Sequence, residues 1–310
     1  MMIEFQNLRF AVLMGGPAKE REISIKSGQA VANALQNSGF NVQAYDVQNL
    51  DDVYQLKDKV DLVFLALHGR WGEDGSIQAI LENLQIPYTG SGVSASAIGM
   101  DKLRTKWLWS GAGLATPKFE WISSAHPLNE ALFDLKFPVM VKPIKEGSSI
   151  GMRKVYSFDD LTEAVAFAQG FDDEVLVEQW VTGREFTAGV LGDQVLPLIE
   201  LKTTHDFYDF DAKYQANDTQ YICPVDLDPD QQVMLENLVS KAFSSVGCRG
   251  WGRVDFMLDE AGQPWLIEVN TCPGMTDHSL MPMAAKQHGL SFEQLVESIL
   301  KLSARHFSLL

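Results

Sequence analysis

Residues 250–274 read GWGRVDFMLDEAGQPWLIEVNTCPG, two segments of alternating chemistry separated by a turn. In an extended chain successive side chains point to opposite faces, so Arg253 and Asp255 share one face and Val254, Phe256 and Leu258 take the other. Past Asp259, Glu260, Ala261, Gly262 and Gln263, the same alternation puts Glu268 with Asn270. If the segments close as a hairpin, Arg253, Asp255, Glu268 and Asn270 converge on one face. Two carboxylates and an amide oxygen are hard donors suited to Mg²⁺ that also binds substrate phosphates, and a nearby guanidinium stabilises charge on a reacting group. A solvated sheet face with a surface ion pair is the competing reading, and on this stretch alone the two stand level.

Working outward, residues 181–310 also hold two predicted strands, 185–191 and 195–201, joined at Gly192-Asp193. A polar, aromatic stretch follows over 202–221; a loop of that length in a compact domain is usually functional or disordered, and the functional reading is preferred. Asp228-Pro229 opens a helix with Leu235, Leu238, Val239, Ala242 and Val246 on one face, stopped by Gly247. Ser291 and Gln294 form a capping box for a last helix. Residues 100–180 predict a helix over 102–109, strands over 138–142 and 175–179, a glycine-serine loop at 146–151, and a helix capped by Ser157. The first hundred residues read as a βαβ beginning: buried strands over 8–14 and 62–67 flank a helical pattern at 27–36. Their strand-end loops carry Gly15-Gly16 and His68-Gly69-Arg70, where open α/β sheets place ligands.

The 310 residues include 25 Lys plus Arg against 41 Asp plus Glu, a formal charge of −16. That balance argues against nucleic acid or an anionic membrane as partner, since both call for a basic face. The length suggests two or three domains. Three cysteines, Cys223, Cys248 and Cys272, give neither a C-x-x-C pair nor a disulfide framework. No secretory or membrane-spanning stretch stands out, and a reducing, cytoplasmic setting fits. Neither G-x-x-x-x-G-K-[ST] nor G-x-G-x-x-G occurs, so a nucleotide would be held another way. Lys142, ending an apolar strand before Glu146-Gly147-Ser148-Ser149-Ile150-Gly151-Met152, offers a point charge and a loop of backbone N–H groups for phosphates.

Nine motifs occur in one order: M-G-G-x-x-x-E-R-E-I-S (14–24), A-L-H-G-R-x-G-E-D-G (66–75), P-Y-T-G-S-G (87–92), M-D-K (100–102), V-K-P-x-x-E-G-S-S-I-G-M (141–152), E-Q-W-x-x-G-R-E-F-T (178–187), A-K-Y (212–214), G-W-G-R-V-D (250–255) and L-I-E-V-N-T-x-P-G-M-T-x-H-S (266–279). Together they resemble the D-alanine–D-alanine ligases of the ATP-grasp superfamily. The resemblance implies an α/β and α+β, three-domain ATP-grasp fold. Residues 1–99 would form an N-terminal Rossmann-like (pre-ATP-grasp) substrate domain, 100–181 the central subdomain, and 182–310 the C-terminal subdomain with a mobile lid at about 202–221.

The same resemblance implies roles. ATP lies between the central and C-terminal parts, with Lys102, Lys142, Ser149 and Lys213 toward its phosphates, Glu178, Trp180 and Val181 along the adenine edge, and Glu185 on the ribose. Asp255, Glu268 and Asn270 match the ligands of two Mg²⁺ (or Mn²⁺), in agreement with the face read from alternation. Glu20 holds the ammonium of the first D-alanine, Ser148 and Tyr214 bond to that Glu, and His68 lies near the same substrate. Ser279 and Leu280 receive the second D-alanine, Gly274 sits beside the oxyanion, and Arg253 offsets charge. Read without the family, Glu20 is a favourable acid at a helix start and His68 a satisfied structural histidine. The implied product is D-alanyl-D-alanine for peptidoglycan, made by a homodimer.

Four positions depart from the family pattern: Trp71 stands where Gly is usual, Pro17 and Lys19 alter the first loop, and Cys272 replaces Ser, Val or Ile. Tyr214 favours the dipeptide over the D-lactate ester. The alternatives are a D-alanine–D-lactate or other ATP-grasp amino-acid ligase, a nucleotide-binding regulator without catalysis, and, weakest, a nicotinamide dehydrogenase.

Overall fold

The computed structural model describes residues 5–203 and 219–310, whose strands form three sheets. The two apolar runs near the start become β1 (Arg9–Gly15) and β3 (Leu62–Leu65), buried almost throughout. Between them lie α1 (Arg21–Asn37), β2 (Asn41–Val47) and α2 (Leu50–Tyr54). The strands run parallel in the order β2-β1-β3. β2 escapes prediction because its residues are half exposed at a sheet edge and form no continuous apolar run. Gly15 and Gly16 have φ of 88° and 81°, a left-handed geometry that lets the chain leave β1 for α1.

Three helices follow, α3 (Ser76–Asn83), α4 (Val93–Met100) and α5 (Lys102–Gly111). The second sheet consists of β4 (Phe119–Ile122), β5 (Val139–Pro143), β6 (Arg153–Val155) and β7 (Val175–Gln179), antiparallel in the order β4-β7-β5-β6. Its Val139, Val141 and Val177 pack on Leu161, Ala164 and Ala168 of α6 (Phe158–Gln169). Ser157 caps α6 as predicted, accepting the Asp160 N–H.

The third sheet runs β11 (Gln220–Ile222), β10 (Ile199–Lys202), β8 (Gly183–Leu191), β12 (Trp251–Asp259), β13 (Pro264–Asn270), with β9 (Gln194–Val195) also paired to β8. The single strand expected over 195–201 is therefore two. Pro197 has no N–H to give a ladder, and the chain breaks around it. On one face α7 (Pro229–Ser245), capped by Asp228, buries Leu235, Val239 and Ala242 against Val254, Phe256 and Leu266.

The last two helices, α8 (Leu280–Gln287) and α9 (Phe292–His306), return to the first sheet. Leu295, Val296, Ile299 and Leu300 of α9 share one core with Val12, Leu13 and Phe64. Each such buried side chain contributes about 1.5–3 kcal/mol. Ser291 and Gln294 start α9 with the predicted capping box. The end of the chain thus covers its beginning, which brings the loops after β1 and β3 to those after β5 and β13.

Candidate active site

β12 and β13 close as the predicted hairpin, Arg253 opposite Asn270 and Asp255 opposite Glu268. Arg253 forks onto Asp255 with bonds of 2.9 and 2.8 Å, and the Asn270 amide donates to the same carboxylate at 3.0 Å. Strict alternation would set Leu266 beside Glu268, but Leu266 is fully buried. The register slips between Asp255 and Phe256, and Ile267 is the extra residue that turns Leu266 inward. Both Ile267 and Glu268 consequently line the cavity above the sheet.

That cavity, of about 660 Å³, lies between the second and third sheets. Lys102, Lys142, Ser149, Glu178, Trp180, Val181, Glu185, Arg253, Asp255, Glu268 and Leu280 all reach its wall. Lys102 stands 3.6 Å from Glu268 and donates to the Glu146 carbonyl at 2.7 Å. Lys154 lies 3.9 Å over the Trp180 ring. Among the described residues no group of three His, Cys, Asp or Glu side chains forms a metal cage. The donors Asp255, Glu268 and Asn270 fit instead a cation that keeps waters and takes its other oxygens from a bound phosphate.

Glu178, expected along the adenine edge, lies between two cations. Its carboxylate is in ionic contact with Lys142 on β5 and Lys106 on α5. Burial pushes this carboxyl up, yet the two ammoniums outweigh it and hold it below the ordinary value. Lys106 went unassigned in the sequence, although it follows Lys102 by one helical turn. Thr187, on β8 two residues beyond Glu185, was also missed; its hydroxyl donates to Asp255 at 2.5 Å.

Glu20, at the N-cap position of α1, accepts a 3.0 Å bond from the Ser148 hydroxyl. The loop after β5 is held in unusual backbone geometry, with φ of 53° at Ser148 and 57° at Ser149. Gly147 lies so close that a Cβ there would fall 2.8 Å from a Glu20 oxygen. These contacts join the first sheet's loop to the second sheet's loop.

His68 is buried, its Nδ1 2.9 Å from the Cys272 carbonyl and its Nε2 3.1 Å from the Ser27 hydroxyl. A carbonyl only accepts, so Nδ1 carries the hydrogen and Nε2 accepts, the arrangement of a structural histidine. Burial also lowers its pKa. Cys272 is buried with Sγ 3.2 Å from the Leu65 carbonyl, and burial raises its thiol pKa well above the usual range. Trp71 has φ of 76°, a conformation natural to Gly and strained for Trp. Nothing in the structure explains why Trp occupies it. Ser279 precedes α8, and its hydroxyl accepts the Thr276 N–H at 2.9 Å. A Cβ on Gly274 would lie 2.8 Å from that hydroxyl oxygen. Lys213, Tyr214 and most of the expected lid lie outside the described residues.

Two family models match the chain, D-ala D-ala ligase C-terminus over residues 108–301 and D-ala D-ala ligase N-terminus over 43–91. A D-alanine–D-alanine ligase of Hydrogenovibrio crunogenus is 57% identical over 295 residues, covering 95% of this chain and 94% of that protein. The crystal structure of the D-alanine–D-alanine ligase from Bacillus anthracis complexed with ATP matches with a TM-score of 0.88 at 30% identity, over 97% of this chain and 99% of that one. A D-Ala:D-Ser ligase from Enterococcus faecalis matches with a TM-score of 0.81 at 29% identity, over 96% and 99%.

Proposed function

Because the chain belongs to the D-alanine–D-alanine ligase family, we propose that it joins two D-alanines at the expense of ATP. ATP transfers its γ-phosphoryl group to a carboxylate oxygen of the first D-alanine, giving ADP and an acyl phosphate. The amine of the second D-alanine attacks the acyl carbon, the tetrahedral adduct expels phosphate, and the surplus ammonium proton leaves. Activation is needed because a bare carboxylate is a poor electrophile.

The observation that supports this reading best is that Lys102, Lys142 and Arg253 line one cavity while the Glu20–Ser148 pair sits next to Ser149 of its wall, four parts of the chain far apart in sequence. Glu20 with Ser148 offers an anion to the first ammonium. Lys102 and Lys142 line the cavity and would face the phosphates. Arg253, held flat by Asp255, presents a fixed guanidinium to charge that develops during phosphoryl transfer. Asp255, Glu268 and Asn270 would hold Mg²⁺, which would offset phosphate charge when bound. Ser279, Leu280 and Gly274 form the side that would receive the second D-alanine; Lys213 and Tyr214 enter by family resemblance.

The domain division at 99 and 181, a homodimeric state and a cytoplasmic role in peptidoglycan precursor synthesis belong to the same proposal. Among the described residues no helix is long and apolar enough to cross a membrane. Phosphate release from ATP, compared with D-alanine, L-alanine, and D-alanine plus D-lactate, tests the assignment. Release with D-alanine alone is the expected result. Release that requires D-lactate would favour the ester-forming alternative, and none in any mixture would overturn the ligase reading.

A further inference from the structure

Lys106 is a lysine with no exposed surface, one turn beyond Lys102 on the same face of α5, behind the cavity wall and not part of its lining. Its ammonium meets one oxygen of Glu178, the Thr116 hydroxyl at 2.6 Å and the Leu266 carbonyl at 3.4 Å. The other Glu178 oxygen meets Lys142, which does line the cavity. We propose that Lys106 is a positioning residue that offsets the charge of Glu178, so that Lys142 keeps a net positive charge for the triphosphate of ATP. This inference rests on the ATP-dependent reading above.

The argument is one of charge. Lys142 and Glu178 alone would form a neutral pair at the wall, with little attraction for phosphates. With Lys106 on the same carboxylate the trio carries one surplus positive charge. A surplus charge among buried groups is unfavourable in itself, and an apolar replacement of comparable volume would serve packing as well or better. An anionic ligand facing the trio removes that disadvantage, and in a poorly solvated wall the attraction is weakly screened. Thr116 and the Leu266 carbonyl satisfy the other Lys106 donors and fix its place between α5 and β13. Burial lowers the Lys106 ammonium to about 8 against the pull of Glu178, so it remains mostly cationic at neutral pH. The neighbouring pair Lys102 and Glu268 adds no net charge.

The test compares binding of ATP and adenosine, both with excess Mg²⁺, to the full chain by calorimetry. The ratio of the two dissociation constants isolates the triphosphate contribution from any change at the adenine. Lys106→Met should lower that ratio about tenfold or more, since a buried charge loses its partner. Lys106→Met with Glu178→Gln should restore it, because Lys142 again stands unopposed. Glu178→Gln alone should raise it, and this arm decides the matter even if Lys106→Met does not fold. An unchanged ratio in Lys106→Met, or a fall in Glu178→Gln, overturns the role of Lys106 while the ligase reading stands. Failure of the wild-type protein to bind ATP would overturn both.

Discussion

Ser148 donates a 3.0 Å hydrogen bond to Glu20 across 128 residues of sequence. The bond ties the loop after β5 to the start of α1, so a substrate ammonium on Glu20 would also feel the position of the serine loop. Ser148 and Ser149 in that loop have left-handed backbone, a strain for serine that the surrounding structure maintains.

Ser148→Ala should raise KM for D-alanine about tenfold, from the loss of a hydrogen bond to a charged group, and leave KM for ATP nearly unchanged. Gly147→Ala should act in the same direction and more strongly, since its methyl would stand 2.8 Å from a Glu20 oxygen. Steady-state kinetics with each substrate varied in turn separates the two constants. Unaltered D-alanine kinetics in both variants would remove Glu20 and Ser148 from the first substrate's site.

Asp255 is shared by Arg253, Asn270 and Thr187, so its replacement disturbs more than a cation ligand. Asp255→Asn should raise the Mg²⁺ concentration for half-maximal activity by at least about tenfold and lower kcat, because the Arg253 fork loses its anion. Thr187→Val keeps every proposed cation donor yet removes the hydroxyl that orients Asp255; a rise of about tenfold in the Mg²⁺ requirement is expected. A Mg²⁺ titration indistinguishable from wild type in Thr187→Val would make that hydroxyl a packing feature alone.

How far the sequence could be read depends on what each signal measures. Alternation placed Arg253, Asp255, Glu268 and Asn270 on one face because period two is set by local backbone geometry. It failed at Leu266 and Ile267, where a bulge breaks the period, and bulges leave no reliable mark in composition. Asp228-Pro229, Ser157 and the Ser291–Gln294 box were legible because capping involves near neighbours. The return of α9 onto the first sheet was not, since the partner of an amphipathic face lies outside the segment that carries it. Lys106 and Thr187 were missed for a similar reason: each acts through a residue on another strand, Glu178 or Asp255. The resemblance to known ligases brought the site together before any contact was visible, but it carried no information on Glu178's two ammoniums.

Thiol chemistry offers a separate check. Burial raises the Cys272 thiol well above its usual range and the Cys248 thiol to about 12, while Cys223 is half-buried and less shifted. The thiolate is the reactive form, so native protein treated with iodoacetamide at pH 8 should be labelled first at Cys223, and at the other two after unfolding. Peptide mass spectrometry reads the order. Early labelling of Cys272, slowed by ATP and D-alanine, would instead make it an accessible group at the site.

Glu73 carries the clearest pH dependence. Its carboxylate accepts the Gly69 N–H at 2.7 Å and the Cys272 N–H at 3.4 Å. Burial nonetheless pushes it up to about 7, with the negative charge of Glu20 adding to the shift. A carboxyl raised on folding stays protonated in the native state at pH values where the unfolded chain has released its proton. Stability from this group is therefore full below its ordinary value near 4.5, falls as pH rises from there to about 7, and changes no further above that. The loss is on the order of 2 kcal/mol, as a shift of this size implies after partial relaxation. Glu73→Gln cannot ionise and lacks this slope. Denaturant melts of both proteins at pH 5 and pH 8 should show wild type losing stability relative to Glu73→Gln at the higher pH, and a constant difference between the two would mean that Glu73 titrates as an ordinary surface acid.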